Sequence, residues 1–96
     1  MTTKTAEQEW LDTIPTYVHP YMRNLAHLAN LALDNKSGYH SIRISHDRIT
    51  AAENDGGRLL GWAITRTTQL GWEYENVVMD GSGTMMILFK NPYVFS

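Results

Sequence analysis

Apolar residues recur at helical spacing in three stretches of this chain, alternate in one and form strand-length apolar or valine-rich runs in two others. The longest helical stretch runs from Asp55 to Gly71 and reads DGGRLLGWAITRTTQLG. At 100° per residue, Leu59, Leu60, Ala63, Ile64, Thr67 and Leu70 share an arc of roughly 140°. Arg58, Trp62 and Arg66 line up on the other side at i, i+4 and i+8. The apolar arc predicts a helix that covers a core, bounded by a glycine-rich start and the glycine stop at Gly71.

Two more helices are predicted before it. Thr5-Ala-Glu-Gln8 has the spacing of a capping box, with Thr5 holding free backbone N–H groups and Gln8 reaching back. A short helix from about Ala6 to Thr13 shows Trp10, Leu11 and Ile14 on one side and ends before Pro15. So short a helix forms only if Trp10 docks on something. Pro15 to Pro20 reads as an extended connector, and Pro20 suits a first helical position. From Tyr21 to Leu33, eight apolar residues (Tyr21, Met22, Leu25, Ala26, Leu28, Ala29, Ala32 and Leu33) share an arc of roughly 160°. Asn35-Lys-Ser-Gly38 is a polar stop in which Gly38 is the residue best able to take a positive φ.

The other three stretches predict strands. Tyr39 to Ser45 carries Ile42 and Ile44 on one face and Arg43 on the other. Ser45 to Asn54 reads as a turn or loop, because a helix continued through Gly56-Gly57 would lose about 2 kcal/mol against alanine. Glu73 to Met79 and Thr84 to Lys90 are strands joined by the tight connection Asp80-Gly-Ser-Gly83. The last strand is apolar on both faces, which suits a central strand partly covered on each side. The predicted class is α+β: N-terminal helices over residues 1–36, then a β-α-β-β unit over residues 37–96, in a single domain. A right-handed crossover makes the first two strands parallel, the hairpin returns the third antiparallel, and the order is 1-3-2 on the amphipathic helix.

Leu70-Gly-Trp-Glu73, a valine-rich strand, a glycine turn and Phe89-Lys-Asn-Pro92 together resemble the end of a small bacterial and phage family, domain of unknown function 4177. The resemblance spans about 22 residues directly, and its motifs are structural. It implies a β-α-β-β layout and carries over no site residue. The N-terminal helices and the Gly56-Gly57 helix start depart from the family pattern.

Composition narrows the function. A length of 96 residues with 43% hydrophobic and 19% charged residues is that of one globular domain with a thin stability margin, which dimerisation would widen. The net charge of −2 argues against coating nucleic acid. The absence of cysteine removes disulfides, thiolate metal sites and cysteine nucleophiles together, and fits an intracellular protein. MTTKTAEQEW has no apolar core of a signal peptide, and no run reaches the ~20 apolar residues of a membrane span. The expectation is a cytoplasmic protein with no membrane partner.

No catalytic constellation emerges. His19 and His27, or His40 and His46, are too far apart along their own elements to share one metal ion, and surface or boundary positions are expected for them. Gly81-Ser-Gly83 lies between two strands, not between a strand and a helix as a nucleophile elbow does. Glu73 and Glu75 fit an edge strand that blocks stray pairing. No metal, cofactor or catalytic residue is assigned.

Two binding sites are candidates. Asp55-Gly-Gly-Arg58 could present free N–H groups and a guanidinium to an anion; Gly56, Gly57, Arg58 and Arg43 would be its contacts, and the loop Asp80 to Gly83 its lid. The stripe Arg58-Trp62-Arg66, with Trp10, is the candidate interface. Three environments fit Trp62: cover by the N-terminal helices, burial against another chain, or stacking on a ligand. The leading expectation is a non-catalytic interaction module, dimeric, contacting another protein, with a phage-encoded inhibitor of a host system as one setting. The alternative is a module that sequesters a small anionic ligand such as a nucleotide signal.

Overall fold

In the computed structural model, residues 5–48 and 59–94 are described. They form α1 (Ala6–Leu11), a 3-10 turn (Thr16–Val18), α2 (His19–Asp34), β1 (Tyr39–Ile44), α3 (Leu59–Gln69), β2 (Glu73–Met79) and β3 (Met85–Lys90). The expected start of the main helix at Asp55 and the glycine pair lie outside the described residues. Residues 46–48 are helical, with the Arg48 N–H on Ser45 Oγ at 3.4 Å, where the sequence suggested a turn or loop. Serine makes a good helix start, and the objection from Gly56-Gly57 does not reach back that far.

The helix ends follow local chemistry. Thr5 Oγ1 accepts the Gln8 N–H at 3.1 Å, which is half of the expected capping box. The other half does not form, because the Gln8 amide donates forward to Asp12 Oδ1 at 2.9 Å and its oxygen accepts from Arg23 Nη2 at 3.3 Å. Helix α2 closes with Ser37 N–H on the Ala32 carbonyl and Lys36 N–H on that of Leu33. This six-to-one, five-to-two pattern needs a left-handed residue at its penultimate position. Lys36 takes that conformation, at φ 56°, and Gly38 does not. Helix α3 ends the same way, with Trp72 N–H on the Thr67 carbonyl and Gly71 at φ 112°.

The sheet has the order β1-β3-β2, and both pairings with β3 are antiparallel, so β1 and β2 run parallel to each other on its two sides. All three strands and their order are those that the sequence pattern predicts. Between β2 and β3 the register shifts: Tyr74 faces Phe89 and Asn76 faces Leu88, leaving Glu75 with no residue opposite. The connection is an aspartate turn in which Asp80 Oδ1 accepts from Ser82 N–H, Ser82 Oγ and Thr84 N–H at 2.8, 2.6 and 3.1 Å. These bonds, Ser82 first, hold the Asp80 carboxyl below its ordinary range.

The core lies on one face of the sheet. Ile42, Ile44, Ile87 and Phe89 meet Met22, Leu25 and Ala29 of α2, Leu59 and Ala63 of α3, and Leu11, Ile14 and Val18 from the N-terminal segment. The arc read for α3 is the buried one, and Ala63 and Thr67 are fully covered. Trp72 seals the junction of helix and sheet, its Nε1 donating to the Ala29 carbonyl at 3.1 Å. The N-terminal helices join this same layer, and among the described residues no helix covers the opposite sheet face, where Arg43, Met86, Leu88 and Val78 lie. No helix among them is long and apolar enough to cross a membrane.

Candidate interaction site

The arginine–tryptophan stripe is divided by the fold. Arg66 is buried, its side chain 10% exposed, and its Nη2 pairs with Glu7 Oε2 at 3.1 Å. Nη1 donates to Gln69 Oε1 at 3.2 Å, and Cζ lies 5.9 Å from the centroid of the Trp10 ring. Trp10 and Trp62 are half-buried and pack against the core. Helix α1 thus covers the end of the stripe at Arg66: Glu7 and Trp10, three residues apart, share a face and grip one guanidinium. Arg58, Gly56 and Gly57 lie outside the described residues.

A different site appears between α2 and β1. A cleft of about 170 Å³ is lined by Tyr21, Asn24, Leu25 and Leu28 from the helix and by His40, Ser41, Ile42 and Arg43 from the strand. The helical residues fall at i, i+3, i+4 and i+7, one ridge of α2. The strand residues are consecutive, so they point alternately to both sheet faces. Strand β1 is an edge strand, so a cleft that takes in both sets borders the side of β1 that faces away from β3.

The hydrogen-bond phase of that edge follows from one bond. Asn91 N–H donates to the Gly38 carbonyl at 2.8 Å, and this pair continues the β1–β3 register. Closely bonded pairs recur at every second residue, so His40, Ile42 and Ile44 bond to β3. The backbone N–H and C=O groups of Ser41 and Arg43 therefore point away from β3.

Two buried polar atoms sit at the cleft wall. Tyr21 Oη and His40 Nε2 have no hydrogen-bond partner among the described residues. Burial raises the Tyr21 phenol above its ordinary range, opposed by Arg48, whose Cζ lies 4.7 Å from the ring centroid. Burial also holds the His40 imidazole, 5.3 Å from the Trp72 ring, below its ordinary range. The unfolded chain then takes up this proton first as pH falls. Stability from this group is complete above the unfolded value, near 6.5, and is lost as pH drops from there through the lowered folded value. His40→Phe, which keeps the ring against Trp72 and Phe89, is expected to flatten the fall in thermal midpoint between about pH 7 and pH 5. An unchanged pH profile would assign that fall to other groups.

His19, expected at a surface or boundary, is buried with Nε2 3.2 Å from the Ile14 carbonyl. Its helix starts two residues earlier than the sequence suggested, which turns the ring inward. Among the described residues no three histidine or carboxylate side chains gather as metal ligands.

The opposite edge of the sheet is built differently. Strand β2 carries the exposed Glu73 and Glu75 and the register shift at Glu75. Carboxylates and a bulge both hinder the addition of another strand. Strand β1 keeps an unbroken register over its six residues. Arg43 also borders a second cleft with Val78, Asp80, Thr84 and Met86 on the uncovered face, so the Asp80 turn is a wall of that cleft. Set against protein-family models, curated proteins and solved structures, the chain matches none.

Proposed function

We propose that the protein is a non-catalytic interaction module that takes an extended polypeptide segment as an added strand along β1. The observation that carries this reading is the cleft lined by four consecutive residues of an edge strand beneath one ridge of a helix. That arrangement offers outward backbone groups for a strand ladder and Leu25 and Leu28 as an apolar seat. The contrast between the regular β1 edge and the bulged, carboxylate-bearing β2 edge supports the same choice. The likeness of Leu70–Pro92 to the domain of unknown function 4177 family belongs to this proposal and rests on those residues alone.

Capture of a small anion is the weaker reading. Arg43 could serve it, but the Asp80 carboxylate stands in the neighbouring cleft and depletes the positive field there.

Selection of displayed peptides on the wild-type protein tests the proposal. Ser41→Pro removes an outward N–H, a change that an edge strand tolerates. Selected peptides should alternate apolar and polar residues, and their affinity should fall at least tenfold on Ser41→Pro with the far-ultraviolet circular dichroism spectrum of the folded protein unchanged. Peptides that bind both proteins equally would overturn the reading.

A further inference from the structure

We infer that the occupant of the β1 edge is a second copy of this chain, paired β1 to β1 about a two-fold axis through Ser41. This rests on the strand-addition reading above. Among the described residues, β1 is the last strand of the sheet on this flank and α2 is the helix packed beside it. The strand presents the outward backbone groups of Ser41 and Arg43, and α2 above it exposes Leu28 by 47% and Leu31 by 48%. A lone extended peptide would reach Leu28, which lines the cleft, and leave Leu31 in water. A partner that brings its own strand and its own helix covers both. A second copy with its two-fold axis normal to the sheet brings its α2 to the same side, antiparallel to the first.

The side chains fit that symmetry in one register. Outward-pointing residues must pair with outward-pointing residues, so odd positions face odd positions. Centring on Ser41 sets Ser41 opposite Ser41 of the partner subunit, and Tyr39 opposite Arg43 of the partner subunit. The guanidinium then meets an aromatic ring across the strands, a favourable pair. Centring on Ile42 instead brings the two Arg43 side chains to diagonal positions about 7–8 Å apart, within reach of repulsion. Sliding the other way, to His40, sets Arg43 opposite Ser37 of the partner subunit and loses the aromatic pairing.

The chain contains no cysteine, so Ser41→Cys introduces a single thiol. Directly opposed residues of a closely bonded antiparallel pair have Cα atoms about 5.5 Å apart, inside the disulfide span of roughly 4.4–6.8 Å. Light scattering at high micromolar concentration should give the dimer mass for the wild-type protein. Mild oxidation should cross-link Ser41→Cys nearly completely, and should leave Val78→Cys, on the uncovered sheet face, monomeric under denaturing conditions. Ser41→Pro should give the monomer mass, and so should the double variant Leu28→Glu/Leu31→Glu, which changes only exposed positions of α2. A wild-type monomer that still selects strand-like peptides would overturn the second copy and leave the strand-addition reading standing. A dimer that survives both disruptions, or that cross-links through Val78→Cys in place of Ser41→Cys, would also overturn it.

Discussion

Replacing Trp72 by alanine is expected to lower the unfolding free energy by about 3–5 kcal/mol, a large part of what a domain of this size holds. Trp72 is almost fully buried where α3 turns into β2, and it touches both layers. Its indole donates to the Ala29 carbonyl, packs beside His40, and follows directly on the left-handed Gly71. Truncation empties a volume that helix and sheet cannot both close. Trp72→Phe keeps most of that volume and loses the hydrogen bond, so a smaller loss of about 1–2 kcal/mol is expected. Urea unfolding followed by far-ultraviolet circular dichroism gives both values. A loss below about 1 kcal/mol for the alanine variant would mean that the layers are held together elsewhere.

Arg66→Ala is expected to lower stability by about 2 kcal/mol, and Glu7→Ala by no more than about 1 kcal/mol. The asymmetry follows from exposure. The Arg66 side chain is 10% exposed and that of Glu7 41%. The carboxylate can return to water when its partner goes, whereas loss of the guanidinium stem opens a gap beneath Trp10. Helix α1 has only six residues and cannot persist unsupported, so amide exchange in Ala6–Leu11 should rise in Arg66→Ala. An arginine that leaves stability and exchange untouched when removed would belong to an external surface instead.

The helix–strand pattern was legible because burial here follows period. Leu59, Ala63 and Thr67 on α3, Ile42 and Ile44 on β1, and Ile87 and Phe89 on β3 are buried where their spacing put them. The two-sided hydrophobicity of β3 indicated its central place and the order of the sheet, although its second face is not covered by a described helix. What stayed hidden depended on contacts distant in sequence or on backbone geometry. Arg66 belongs to a stripe for which cover by the N-terminal helices is one expected environment, but nothing in the sequence marks its pairing with Glu7, 59 residues away. Lys36 carries no mark of its left-handed conformation, since Gly38 stands nearby as the better candidate. The shift at Glu75 leaves no trace in composition. The cleft along β1 is half visible in the sequence: Arg43 stands out as an anion contact, whereas Tyr21, Leu28 and Ser41 show only as members of their own elements and meet Arg43 through the fold. Of the three environments that fit Trp62, the core supplies part of the first: Trp10 and Trp62 are both half-buried against it.

The lone Glu75 on β2 has a consequence for growth. A sheet with two regular edges can recruit copies at both, and each addition exposes another edge, so assembly runs on into filaments. Here one edge is regular and the other is interrupted one residue past Tyr74. Pairing through the regular edges leaves interrupted edges at both ends of the joined sheet. In the proposed pairing the series therefore stops at two, with the bulge at Glu75 and the carboxylates of Glu73 and Glu75 hindering a further strand at each end.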